Sequence, residues 1–182
     1  MTPVNPDRIP KRQHYRVMPD RSALLIEVAT SVGPVTFGAV GLEGFVRLAV
    51  RGAGLDLAAT PIAHLELQLR DLTSGNSAYD GELQRHIDAR RYPAAHVDLR
   101  HVHRVGDSSS DYLVAGDITF RGITQSVEGY VTVHVPEAGL VRVSGTKSLD
   151  IRLFEVPPPT LFMLKIDPEV TLSLQLEARL SP

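Results

Sequence analysis

Cysteine is absent from this chain, which removes disulfide frameworks, thiolate zinc sites and cysteine nucleophiles together. Tryptophan is absent as well, and aromatics make up only 5% of residues, so any apolar interior has to be built mainly from valine, leucine and isoleucine. Charge of one sign is also lacking: the formal net charge is −2, and nucleic acid or an anionic membrane surface would call for a clustered basic excess. No apolar run approaches the roughly 18 residues of a membrane-spanning helix. The opening stretch, MTPVNPDRIPKRQHYRV, carries prolines and charges in place of the apolar segment of a signal peptide. A cytoplasmic protein with no stable membrane insertion and no nucleic-acid partner is therefore expected.

What is present is alternation. At 182 residues the chain is expected to fold as one domain. Pro3, Pro6 and Pro10 make residues 1–14 a flexible lead-in, with the domain spanning 15–182. Apolar residues then recur with period two at Leu24, Ile26, Val28; at Val46, Leu48, Val50; and at Leu65, Leu67, Leu69. The pattern resumes at Val97 and Leu99; Val114, Ile118 and Phe120; Val131, Val133 and Val135; Leu149, Ile151 and Leu153; and finally Val170 to Leu176. About eight strands result, separated by turn residues such as Gly33-Pro34 and Gly106-Asp107-Ser108. That spacing suits an antiparallel sandwich or barrel.

One segment breaks the alternation. Between Leu72 and Pro93, Tyr79, Leu83 and Ile87 recur every four residues, which predicts a helix from about Asp80 to Ala89 with Asp80 capping its first N–H groups. Tyr92-Pro93 then forces the backbone to be extended. A single amphipathic helix of this kind can lie over the open end or flank of a barrel.

Several motifs invite a chemical reading. His101 and His103 form an H-x-H pair, with His96 and His134 elsewhere on strands, but the surrounding Arg100 and Arg104 favour a solvated hairpin arm, and no metal site is expected. Asp117, Thr119 and Arg121 share one strand face opposite Ile118 and Phe120, which predicts an outward polar ladder instead of a catalytic pair. Arg121-Gly122 reads as a tight hairpin with Gly122 in an unusual backbone conformation. Ser74-Gly75-Asn76 is explained by turn chemistry, and no nucleophile elbow or nucleotide fingerprint occurs. No catalytic residue is assigned. The run Pro157-Pro158-Pro159 with Leu161, Phe162 and Met163 is expected at a barrel mouth, as a plug or a guide for an apolar chain.

Tyr15, Ser22-Ala23-Leu24, Leu72-Thr73-Ser74-Gly75-Asn76, Asp80, Leu83, Tyr92-Pro93 and Gly116-Asp117-Ile118-Thr119-Phe120-Arg121-Gly122-Ile123-Thr124 together resemble the YceI-like family over roughly residues 15–178. The chain departs from that family's usual pattern at Tyr79-Asp80, at His86-Ile87 and at Ile26. The resemblance implies an all-β protein with one short helix, an eight-stranded antiparallel lipocalin-like β-barrel. It further implies non-catalytic binding, carriage or storage of a long-chain isoprenoid or similar apolar lipid inside the barrel. On that reading the cavity is lined by Leu24, Ile26, Val28, Phe45, Leu67, Leu69, Leu83, Ile87, Ile118, Phe120, Val131, Val133 and Phe154. No cofactor is expected beyond a bound polyisoprenoid, quinone or fatty-acid-like ligand, and a homodimer covering an open mouth is expected. Two other readings compete: an enzyme acting on a lipid or quinone, with histidines turned inward beside a carboxylate, and a ligand-free interaction module with a filled core.

Overall fold

A computed structural model describes residues 10–157, 160–161 and 164–182. The first wall of the sheet is a strand interrupted once: β1 (Gln13–Val17) and β2 (Ala23–Thr30) are separated by a short 3₁₀ turn at Pro19–Arg21. Proline at the start of that turn removes an N–H that a ladder would need. The second wall bends to match, as β3 (Gly33–Val40) pairs with β2 and β4 (Glu43–Leu48) pairs with β1. Strands β7 (Ile62–Gln68), β8 (Ala94–Arg104), β9 (Asp111–Phe120), β10 (Ile123–Glu137), β11 (Leu140–Asp150) and β13 (Leu164–Leu180) follow in antiparallel succession. A small hairpin of β5 (Val50–Arg51) and β6 (Gly54–Leu55) and the two-residue β12 (Thr160–Leu161) lie off this path.

The circle closes because β13 is long enough to serve two partners. Its first part pairs with β2, and its last part pairs with β1 through Tyr15↔Leu180 and Val17↔Ala178. Counting β1–β2 and β3–β4 as one bent wall each, eight walls form a closed antiparallel barrel. Where β1 leaves β2, the backbone of Glu177 on β13 is satisfied locally: Met18 N donates to its carbonyl, and buried Ser22 Oγ accepts from its N–H. The Glu177 side chain is only 8% exposed and is held between Arg142 Nε at 2.9 Å and Arg21 Nη1 at 3.4 Å. Hydrogen bonding from Arg142 outweighs burial and, with the charges of Arg142, Arg21 and Arg179, holds this carboxyl below the ordinary range.

One end of the barrel is filled. Tyr15, Val46, Tyr112, Val133, Val141, Leu176 and Ala178 are all buried there, and the Tyr112 hydroxyl accepts from Leu55 N at 2.8 Å and donates to Ser109 O. Val50 belongs to the β5–β6 hairpin and not to a barrel wall, because Gly52 at φ 62° turns the chain back at once. Ile151 and Leu153 do not extend β11 either. The strand stops at Asp150, whose carboxylate accepts from Arg152 N and starts a 3₁₀ turn at Ile151–Phe154.

The helix α1 runs over Ser77–His86, three residues earlier than the sequence predicts. Asn76 is the N-cap, with extended backbone and Oδ1 accepting from Ala78 N and Tyr79 N. Asp80 instead binds back to the turn before the helix, accepting from Thr73 Oγ1, Ser74 N and Ser74 Oγ at 2.6–2.7 Å. Burial pushes its carboxyl up, but those three hydrogen bonds win and leave it below the ordinary range. β1 begins at Gln13, so His14 is already in the barrel wall. Of the sequence expectations for the mouth, Pro158, Pro159, Phe162 and Met163 lie outside the described residues. No helix among the described residues is long and apolar enough to cross a membrane.

Candidate functional site

The other end of the barrel is hollow. Leu24, Ile26 and Val28 on β2 lie directly opposite Leu174, Leu172 and Val170 on β13, so both strands present one aliphatic face inward. Val114, Ile118 and Phe120 on β9 and Ala95, Val97 and Leu99 on β8 continue that face around the wall. Between them is a cavity of about 350 Å³, within the usual range for ligand pockets. Val97 points into it and is still 36% accessible to a water-sized sphere, as an inward side chain is only when it borders empty space.

Two segments cap this end. Strand β3 pairs with β2 on one side, but among the described residues its far side pairs only with Thr73, through reciprocal bonds between the Gly38 and Thr73 backbones. Residues 69–93 fill the place a neighbouring strand would take. Gln84 Nε2 donates to Leu69 O, and Leu69 N to Pro93 O, docking α1 so that Leu83 and Ile87 face the cavity. From the opposite side the turn Ile151–Phe154 contributes Ile151 and the buried Phe154, whose ring meets Phe120 edge-on at 5.7 Å.

The two sequence motifs meet at this cap. Phe120 and Ile123 are paired, leaving Arg121 and Gly122 as a two-residue turn with φ of 51° and 76°, the left-handed pair that a hairpin of matching twist needs. A Cβ on Gly122 would lie 3.2 Å from the Tyr92 ring, so this glycine seats the tyrosine that ends the helical segment. Arg121 Nη1 reaches the carbonyls of Phe154 and Glu155, and Gln125 Nε2 reaches Leu153 O. The Gly116–Thr124 motif therefore anchors the capping turn.

Of the residues expected to line a cavity, Leu24, Ile26, Val28, Leu67, Leu69, Leu83, Ile87, Ile118, Phe120, Val131 and Phe154 border it. Phe45 does not. The inward residues of β4 are Val46 and Leu48, so the intervening parity turns Phe45 outward, where it stacks on His14 at 5.3 Å and lies under the Arg47 guanidinium. Val133 faces inward but belongs to the filled end. Leu65, Val114 and Leu149, which belong to the alternation but were not assigned to a cavity, also border it, as do Phe37, Leu42, Leu72 and Val127 and two polar residues that an apolar pattern does not single out, His86 and Lys147.

Polar clusters lie on the outer wall. Asp117 accepts from Ser126 Oγ at 2.7 Å and Arg100 Nε at 2.8 Å, and these bonds hold its carboxyl below the ordinary range. Arg121 is committed to the cap and does not pair with it. His101, His103 and His134 are exposed on outward-facing positions of β8 and β10. A different set gathers across β7 and β8: His64, Glu66 and His96 place donor atoms within 4.8 Å of one another, and His64 Nδ1 lies 2.7 Å from Asp98 Oδ1. Those donors could hold a transition-metal ion, on the side of the wall facing away from the cavity.

A YceI-like domain profile matches residues 15–178. Among solved structures, a polyisoprenoid-binding domain from Saccharophagus degradans, implicated in plant cell wall breakdown, is similar with a TM-score of 0.72 at 16% identity, covering 92% of this chain and 98% of its own. BcnA of Burkholderia cenocepacia gives 0.73 at 17% identity, over 88% of this chain and 98% of its own. The YceI protein of Campylobacter jejuni gives 0.64 at 12% identity, over 78% and 82%. At these identities the likeness is one of fold. No curated protein sequence matches the chain.

Proposed function

The chain belongs to the YceI-like domain family, and from that premise we propose that it binds a polyisoprenoid or similar apolar lipid inside the barrel and carries or stores it unchanged. The observation that carries this reading is the hollow end: a cavity of about 350 Å³ bordered mainly by aliphatic side chains and closed by α1 and the turn Ile151–Phe154. An empty apolar space forfeits dispersion contacts along its whole lining, so a chain that fills it restores those contacts and leaves water at about 0.8 kcal/mol per methylene. The polyisoprenoid-binding domain of Saccharophagus degradans, which shares this fold, supports the choice of ligand class.

Binding without chemistry is favoured over lipid or quinone turnover because His101, His103 and His134 face solvent from the outer wall, while His86, the histidine that borders the cavity, is bonded to the Pro157 carbonyl in the cap. A filled-core interaction module is disfavoured by the cavity itself. Native mass spectrometry of the purified protein, followed by organic extraction, tests the proposal: a stoichiometric apolar species should be found or loaded. Repeated failure to detect or load one, with the protein folded, would sink it. The same spectra test the homodimer expected from the sequence.

A further inference from the structure

The barrel wall has one seam that the backbone does not stitch. Strands β10 and β11 pair from Glu137↔Leu140 down to Val131↔Gly145, and there the ladder stops. Residues 123–130 of β10 go on pairing with β9, and residues 146–150 of β11 with β13, but not with each other. Among the described residues the seam is bridged near the cap, where Gln125 Nε2 donates to Leu153 O and Arg121 Nη1 to the carbonyls of Phe154 and Glu155. Between that bond and Val131 the cavity reaches the wall, bordered by Gly129, Tyr130, Thr146 and Lys147.

Lys147 breaks the aliphatic pattern of the interior. It lies directly opposite Leu172 on β13 and two residues from both Gly145 and Leu149, all of which border the cavity, so its side chain leaves the backbone on the inner face. A Cβ on Gly129 would lie 3.9 Å from its Cδ, so the stem crosses the seam toward β10. Lys147 is exposed, and among the described residues its ammonium makes no hydrogen bond or ion pair. An aliphatic stem along an apolar wall with the charge delivered to water is the ordinary way a lysine sits at such a boundary. Tyr130, 67% exposed on the outer rim, adds a second amphipathic side chain. Glu128, on the outward face of β10, is an acidic group bordering the same mouth, and it forms no ion pair with Lys147.

We propose that the seam between β10 and β11 is the mouth of the cavity, and that Lys147 there binds the anionic head, carboxylate or phosphate monoester, of an amphiphile whose tail fills the barrel. This rests on the apolar-ligand reading and adds to it the chemistry of the head. An ammonium with three free donors beside an apolar pocket discriminates an acid from the alcohol of the same tail.

Displacement of Nile red from the full chain tests this with two matched pairs: palmitate against palmityl alcohol, and farnesyl phosphate against farnesol. In the wild type the acid of at least one pair should bind about tenfold more tightly than its alcohol, the size of one charge-assisted contact at a partly exposed site. The pair that shows the preference identifies the head as carboxylate or phosphate. Lys147→Gln should bring that ratio close to one, and Lys147→Arg should restore it. Equal affinities for acid and alcohol in the wild type, or a ratio unaltered in Lys147→Gln, overturns the role of Lys147 while leaving the apolar cavity intact. If neither member of either pair displaces the dye, the apolar-ligand reading fails, and this proposal with it.

Discussion

His86 Nε2 donates to the carbonyl oxygen of Pro157 at 2.5 Å, joining the last residue of α1 to the segment that follows the capping turn Ile151–Phe154. The two halves of the cap come from chain segments about seventy residues apart, and this bond ties one to the other across the hollow end. If the tie matters, its removal should loosen the cap without disturbing the filled end. His86→Ala removes a bond of about 1 kcal/mol at an exposed site, so amide exchange over residues 77–93 and 151–157 should quicken about fivefold by local opening. Hydrogen-exchange mass spectrometry reads this directly. Uniform quickening across β1, β4 and β9 would show that the bond supports the whole fold instead.

Filling the cavity should abolish ligand uptake without unfolding the protein. At Gly129 an added Cβ meets only the flexible end of Lys147, at 3.9 Å, so Gly129→Leu can project into the empty space without the roughly 1–3 kcal/mol strain of overpacking. Its thermal midpoint should stay within a few degrees of wild type, while Nile red binding should fall more than tenfold. Undiminished dye binding in a folded variant would place the ligand elsewhere.

Gly44 should tolerate no side chain. Its φ of 135° is one that L-residues avoid, and a Cβ there would lie 2.0 Å from the His64 carbonyl oxygen across the β4–β7 pairing. Gly44→Ala is expected to cost more than about 3 kcal/mol, because backbone strain and a clash with a neighbouring strand combine. Urea denaturation measures it, and a cost below about 1 kcal/mol would contradict the close approach of these two strands.

Acid should destabilise the fold through a small set of carboxylates. Asp80, Asp117, Asp150 and Glu177 are all held below the ordinary carboxylate range, Asp150 chiefly by hydrogen bonding from Arg152. A carboxyl with a lowered folded-state pKa binds fewer protons than its unfolded counterpart, so its contribution is complete above the unfolded value of about 4 and is lost as pH falls through the folded one. Unfolding free energy from urea titrations should therefore decline between about pH 5 and pH 2. The decline should be shallower in Glu177→Gln. A flat profile over that interval would remove the ion pairs from the account of stability.

Much of this architecture was legible because strand parity is a local property. Alternation at Leu24, Ile26 and Val28 put one face inward whatever the strand met there, and Arg121-Gly122 called for a left-handed turn wherever the hairpin lay. The helix was legible from Tyr79, Leu83 and Ile87, but its start was not. Asn76 and Asp80 are both good caps, and only the turn at Thr73 and Ser74 recruited Asp80 away from the helix end. Phe45 was misplaced for a related reason: it adjoins Val46 in an apolar pair, and one step of register decides which of the two faces water.

By itself, the sequence determined eight alternating walls, the interrupting helix and an interior without cysteine or tryptophan. All of these follow from side-chain chemistry and a period of two. The tertiary structure alone decided that one end is packed around Tyr15 and Tyr112 and the other left hollow. It also decided that β10 and β11 part beyond Val131 and Gly145, and that Lys147 lies at that parting. Those outcomes depend on how the long β13 closes the circle and where neighbouring ladders end. Closure and ladder length are set by pairings between distant segments, which no local pattern encodes.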